Sequence, residues 1–388
     1  MNTNSYKHGI RRQVMKYIYN FGWMPDKATT LFREHESRIV QRKIKIMEQE
    51  GILKQNKQMQ MTVFNEYPAK RQIYEKDMPK GYAEYYENVA SLNKKDAYHS
   101  KQRKRKVDKD IESQIMMDNA KVRSLYGEKP LILNKESLID LSIPTYYNSK
   151  ELKMYCKNKE SVKKYNATRM NGCMFSAGGI YPTYHVGNRI MEWKKVTEEN
   201  IKRHIRWVAE SKCNKDVEIS SCIMLYSGEK VLSDILHCSV VKQKDNKTRQ
   251  LMMIDFMYEH MYALPLSVKG EQMIEIMSTD GWKQRMLDDF IARENQAQYK
   301  NLTVACDGME SENGENVYTL LYCIPDLNKL KLFQSRAEIV ENKKQFKVIC
   351  FKHQIYLVAK ELGNYAEIYT VDIEDYYKQY MQEIEEDS

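Results

Sequence analysis

Within its first 67 residues the chain changes hydrophobic period once, and that change limits what the segment can fold into. From Tyr6 to Tyr19 the apolar residues Ile10, Val14, Met15, Tyr17 and Ile18 recur at helical spacing, and Phe21-Gly22 stands where a helix would stop. Pro25-Asp26 opens a short second helix, Ala28 to Arg33, with Asp26 able to cap the free N–H groups. A third helix runs from about Glu36 to Glu50 and ends at Gly51. Residues 52–67, ILKQNKQMQMTVFNEY, then alternate in part on either side of a polar Asn-Lys-Gln tip, the pattern of a two-stranded hairpin. Three helices followed by a hairpin predict a winged helix-turn-helix, in which the third helix enters a DNA major groove and the hairpin lies along the backbone.

The third helix carries the residues such a reader needs. At roughly 100° per residue, Val40, Ile44 and Met47 share an apolar face, and Arg38, Gln41, Arg42 and Lys45 share the face pointing away from it. Arginine and glutamine make paired hydrogen bonds to guanine and adenine edges, and lysine holds a phosphate. Lys54 and Lys57 in the hairpin add candidate backbone contacts.

Charge is distributed to match. Residues 1–110 hold 24 Lys and Arg against 13 Asp and Glu, an excess of eleven, while the whole chain carries +9, so the remainder is slightly acidic. A basic third joined to a near-neutral body is the electrostatic footprint of a polyanion-binding module. Residues 93–110, NKKDAYHSKQRKRKVDKD, have almost no apolar content, so they read as a linker or solvated helix end in which Arg103, Lys104 and Arg105 add phosphate contacts. The expected organisation is a DNA-binding domain at 1–92, a basic connector at 93–130 and a second domain at 131–388.

The second part alternates strand-like and helix-like segments. Residues 173–186 read as a hairpin, Glu198 to Glu210 as a helix, and 218–227 as a strand followed by a helix opened at Gly228. Residues 251–266 are apolar, with helices expected around Glu271–Met277 and Trp282–Arg293. LTVACDG, VYTLLYCIP and FKVICF read as strands, and AEIYTVDIEDYYKQY as a strand passing into a helix. The alternation predicts an α/β domain with a central mixed sheet, and an α+β chain overall.

Chemistry-bearing motifs are sparse. The nearest glycine cluster, Ala177-Gly178-Gly179, is neither a P-loop nor a dinucleotide fingerprint, and no G-x-S-x-G elbow occurs. The eight histidines never show the two-His spacing of rolling-circle nickases, so the 28 tyrosines read as packing rather than nucleophiles. Asp307, expected to close the strand LTVACDG with Glu310 nearby, is the best candidate for a nuclease metal ligand, but VYTLLYCIP supplies no acid-x-Lys. Asp255, Glu259 and His260 do not converge on one strand face. No catalytic residue, metal or cofactor is therefore assigned, and enzymatic nicking is not expected. The eight cysteines contain no C-x-x-C and read as buried free thiols. No apolar run is long enough to span a membrane and the N-terminus resembles no signal peptide, which predicts a cytoplasmic protein.

Three segments resemble the replication-relaxation family, proteins of bacterial plasmids and integrative conjugative elements. They are Tyr181–Arg203, with Tyr184, Gly187-Asn188, Met191, Trp193 and Glu198; Leu251–Leu266; and IYNFGWMPDKATTLF with the third helix through Gly51-Ile52-Leu53. The resemblance implies an N-terminal winged helix and a restriction-endonuclease-like second domain without a complete nuclease site. It implies an accessory protein that binds double-stranded DNA at an origin and supports replication, relaxation or mobilisation beside a relaxase or replication protein. Two other functions fit the same residues: a winged-helix transcription regulator, and a metal-dependent nicking enzyme centred on Asp307. A homodimer would suit a two-fold DNA site, although no heptad run marks a dimer seam.

Overall fold

The structure, a computed structural model, describes residues 10–32, 37–57, 60–65, 101–120, 122, 146–149, 152, 168–187, 195–213, 219–228, 230–237, 241–242, 248–249 and 257–386 apart from 301, 303 and 313. The chain is a mixed α and β protein built on several sheets.

The N-terminal module begins with helix α1 (Ile10–Phe21), which buries Ile10, Val14, Tyr17, Ile18 and Phe21 at spacings of three and four. Gly22, at φ +87°, takes a left-handed turn that a side chain would resist. Strand β1 (Met24–Pro25) follows, and then a 3₁₀ helix at Asp26–Leu31 in place of the α-helix expected over 28–33. The reason is local: Thr29 and Thr30 donate their hydroxyls to the carbonyls of Asp26 and Lys27, three residues back, which favours the tighter turn. Helix α2 (Ser37–Gln49) buries Val40, Ile44 and Met47. It closes as the sequence predicts, with Gly51 at φ +68° and the Ile52 amide donating to the Met47 carbonyl at 2.9 Å, a Schellman stop that also buries Ile52. Strands β2 (Leu53–Asn56) and β3 (Met61–Phe64) form the hairpin, and β1 adds to β3, giving an antiparallel sheet ordered β1-β3-β2.

Helix α3 (Lys101–Asn119) departs from the solvated connector expected there. Val107, Ile111 and Ile115, four residues apart, complete the core of the N-terminal module, while Met116, Met117 and Ala120 enter a core of the body. Its polar residues divide between the same two neighbours. Asp108 accepts from Trp23 Nε1 at 2.9 Å, Asp118 from Tyr17 and Lys16 at 2.8 Å, and Glu112 pairs with Lys27. Toward the body, Asp110 accepts from Asn171 at 2.6 Å, and Lys106 and Lys109 donate to the carbonyls of Thr168 and His185 at 3.0 Å. Two of the basic residues that suggested a linker are therefore half-buried donors to backbone carbonyls of the body.

The body contains strands β4 (Tyr146–Asn148), β5 (Gly172–Ser176), β6 (Gly179–Val186), β7 (Ser221–Tyr226) and β10 (His260–Pro265), in the order β10-β7-β6-β5-β4. Its β10, β7 and β6 run parallel, and β6, β5 and β4 antiparallel. A short pair, β8 (Val241–Lys242) and β9 (Thr248–Arg249), lies apart. A second mixed sheet orders β11 (Gly308–Glu312), β12 (Glu315–Leu321), β13 (Phe346–Phe351) and β14 (Glu367–Val371) in sequence. The single central sheet expected from the sequence is therefore two, joined where Tyr262 bridges Asp326 and the Ala263 amide donates to Pro325 O at 2.8 Å.

Side chains alternate along these strands into two cores. Cys222, Met224 and Tyr226 of β7 face one, with Val348 and Cys350 of β13; Ile223 and Leu225 face the other, with Phe351. Burial on both faces explains why these strands read as unbroken apolar runs. The first core is covered by α4 (Lys195–Cys213), α5 (Lys230–His237), α8 (Leu327–Val340) and α9 (Ile355–Leu362). The second is covered by α6 (Val268–Met277), α7 (Trp282–Phe290), α10 (Ile373–Glu386) and the end of α3. The glycine cluster of the β5–β6 turn has a packing role, since a Cβ on Gly178 would lie 2.0 Å from the Met277 carbonyl oxygen. Cys173, Cys222, Cys306, Cys323 and Cys350 are buried free thiols. No helix among the described residues is long and apolar enough to cross a membrane.

Candidate nucleic-acid interface

Helix α2 presents two opposed faces. Val40, Ile44 and Met47 are buried in the core of the module, where α2 packs on α1, the 3₁₀ helix and β2, whereas Arg38, Gln41, Arg42 and Lys45 are all exposed. At 1.5 Å rise per residue, Arg38 to Lys45 covers about 10 Å of helix, and an α-helix of about 10–12 Å diameter is what a major groove roughly 12 Å wide admits. Gln41 rests its amide on Ser37 Oγ at 3.4 Å, within the same face. The N-terminal turn of α2, at the positive end of its dipole, carries Arg38, and the acidic residues Glu48 and Glu50 stand at the other end. Glu50 is held by Arg11 of α1 at 2.8 Å, which keeps its charge beside α1. Lys43 is a further exposed cation of α2 that sequence spacing did not select.

The hairpin stands beside this helix. Lys54, Gln55 and Lys57 are exposed, while Leu53 and Met61 are buried under the sheet. Asp26 ties the hairpin to the 3₁₀ helix: its amide donates to Gln60 O at 3.1 Å, and its carboxylate accepts from Gln55 at 3.4 Å and Thr62 at 3.5 Å. Six candidates, Arg38, Gln41, Arg42, Lys45, Lys54 and Lys57, thus lie exposed on one small module. Arg105 is exposed on the first half of α3. Arg103 and Lys104 belong to the same helix, but their side chains lie outside the described residues.

The positions weighed for catalysis are otherwise engaged. Asp307 closes no strand: the Cys306 amide turns back onto Val304 O at 3.0 Å, and β11 starts only at Gly308. One Asp307 oxygen accepts from the Leu321 amide at 2.8 Å and the other pairs with Lys329. His260, at the start of β10, bonds through Nδ1 to Asp326 at 2.7 Å, and Asp326 also caps α8. Glu259 is exposed, and Asp255 lies outside the described residues. Among the described residues no three His, Cys, Asp or Glu side chains converge as a metal-ligand set.

A group of perturbed titratable residues lies at the seam made by α3. Burial pushes His185 down to about 3, with Lys109 and Lys27 adding repulsion, and its Nδ1 lies 3.6 Å from Glu112. Burial also raises Glu112, opposed by the hydrogen bond and charge of Lys27, and lowers Lys106. These shifts mark a desolvated joint between module and body.

Compared with known protein families, with characterised proteins and with solved structures, the chain matches none.

Proposed function

We propose that the chain is a DNA-binding accessory protein of a plasmid or conjugative element, whose N-terminal module works as a winged helix. The observation that carries this is the exposed face of α2, where Arg38, Gln41, Arg42 and Lys45 stand together opposite a fully packed apolar face. The connectivity supports it: helix, short strand, short helix, helix and hairpin, with the first strand pairing into the hairpin sheet. In this reading α2 lies in the major groove, Lys54 and Lys57 hold backbone phosphates, and double-stranded DNA is the first partner. The body serves as a platform, restriction-endonuclease-like in the sense of the sequence resemblance and without a complete nuclease site. Its partners on the element are a relaxase or replication protein.

Selection of bound duplexes from a random pool by the full chain tests the reading. A single preferred motif is expected, and mapping it to a transfer or replication origin supports the accessory role; a site in the promoter of its own operon supports a transcription regulator instead. Arg42→Ala should cost about 1–3 kcal/mol on the preferred duplex and relax the preference at one base pair. Recovery of no motif, or unaltered binding by Arg42→Ala, contradicts the groove assignment.

A further inference from the structure

The molecule's second basic surface lies on the body. Helix α4 buries Ile201, Ile205, Val208 and Ala209, and its other side lines an open cleft with Lys202, Arg203, Arg206 and Glu199, so that three cations meet a single acid. Arg206 is the i+4 neighbour of Lys202 and the i+3 neighbour of Arg203, which groups the three on one side of the helix. Two of them are oriented. Lys202 donates to Met257 O at 2.9 Å and lies over the Tyr258 ring, and the Arg203 guanidinium donates to Asn200 Oδ1 at 2.5 Å.

This face connects to the N-terminal module through α3. Lys106 of α3 donates to Thr168 O; the Thr168 hydroxyl donates to Glu198 Oε2 at 2.6 Å; and Glu198 stands in the first turn of α4, buried and also accepting from the Arg169 amide at 2.9 Å. Arg105 and Arg169 are exposed at the two ends of the first contact, on α3 and just before β5. The exposed Arg105 and Arg169 thus flank the first contact in sequence, and the exposed Arg203 with the half-buried Lys202 and Arg206 follow Glu198 along α4. From Glu198 to Arg206 the helix advances about 12 Å. The three internal members of this chain of contacts, Lys106, Thr168 and Glu198, have their polar atoms turned toward one another, and the arginines are left on the outside.

We propose that this band on α3 and α4 binds the phosphate backbone of duplex DNA beyond the segment read by α2, so that the protein grips one duplex at two places. The inference rests on the DNA-binding reading above and deepens it. Its chemistry is charge complementarity: arginine forks pair with phosphate oxygens independently of sequence, and each pairing releases condensed counterions. The band should therefore add affinity and salt dependence without altering which sequence is preferred.

The test is the double substitution Arg203→Ala/Arg206→Ala in the full chain, measured on two duplexes carrying the selected motif, one ending at the motif and one extended on both sides. On the extended duplex the slope of log affinity against log salt should become shallower by about 0.9 for each phosphate that is no longer neutralised, about 1.8 for two. On the short duplex the slope should not change, and the motif selected by the variant should match that of the wild type. Arg203→Lys/Arg206→Lys should keep most of the slope, which separates charge from packing. An unchanged slope on the extended duplex overturns the proposal, including the case in which α4 receives an acidic protein instead. Failure of the underlying reading looks different, because the wild-type chain would then select no motif and Arg42→Ala would bind as it does.

Discussion

His185 shows at the scale of one residue how the seam is held. Its ring is buried, Lys109 donates to its carbonyl, and its side chain stands near the carboxylate of Glu112. Desolvation keeps it neutral to about pH 3, whereas in the unfolded chain it titrates at its ordinary value near 6.5. A folded-state value below the unfolded one stabilises the protein above pH 6.5 and loses that stabilisation as the pH falls toward 3. Between pH 7.5 and 5 the His185 contribution should shrink by about 2 kcal/mol, from the fraction of unfolded chains that gain a proton. His353, lowered to about 4 by burial, acts in the same direction and is common to wild type and variant. Urea unfolding of wild type and His185→Asn at the two pH values checks this. The stability gap between them should narrow at pH 5, and a gap that does not move refutes the assignment of a neutral His185. Glu112 has the opposite sign. Burial raises it, so its protonated form favours the folded state, and stability from this group is lost as the pH rises through its folded-state value.

Helix α3 sets the relation between module and body at the element scale. Ile111 is fully buried in the core of the N-terminal module, while Lys109 and Asp110, which precede it in the same turn, reach the body. Ile111→Ala should cost about 2–5 kcal/mol, as for other buried isoleucines cut to alanine. Because the helix belongs to both neighbours, amide exchange should accelerate in β1 and α2 and in β5 and β6 alike; acceleration on one side only would mean that α3 couples nothing. The same helix shows where sequence reading stops. α1, α2, the β2–β3 hairpin and the β5–β6 hairpin were legible because their periods are strong and their stops are glycines at positive φ or tight turns, as at Gly22, Gly51 and Gly179. In α3, Val107, Ile111 and Ile115 are diluted among charges, and the partners that make burial of Asp108, Asp110 and Glu112 tolerable lie 61 to 85 residues away, or on Lys27. No local window contains that information. LTVACDG misled in the other direction, its strand-like composition being overridden by the turn at Val304–Cys306. The exposed donor face of α2 was readable from spacing alone, while the cations of α4 were not picked out from the sequence, because their link to α3 runs through Thr168 and Lys106, far away in the chain.

The whole molecule is a small basic module clasped to a larger body with helices on both faces of its two mixed sheets, and its charge follows that division. Docking through Trp23, Tyr17 and Lys27 on one side of α3 and Asn171, Thr168 and His185 on the other holds the N-terminal module against the body. Under the proposed function that property matters, since a loosely tethered module would bind DNA and leave the body free to wander. The central claim is that the exposed face of α2 is where this chain meets DNA. Fluorescence-anisotropy titration of a duplex by the wild-type chain and by Arg38→Glu/Arg42→Glu, between about 50 and 200 mM salt, tests it most directly. Both arginines are exposed, so the variant should fold as the wild type does. The wild type should bind with an affinity that falls steeply as salt rises, and the variant should lose that binding; equal binding by the two chains, with equal salt dependence, would contradict the account.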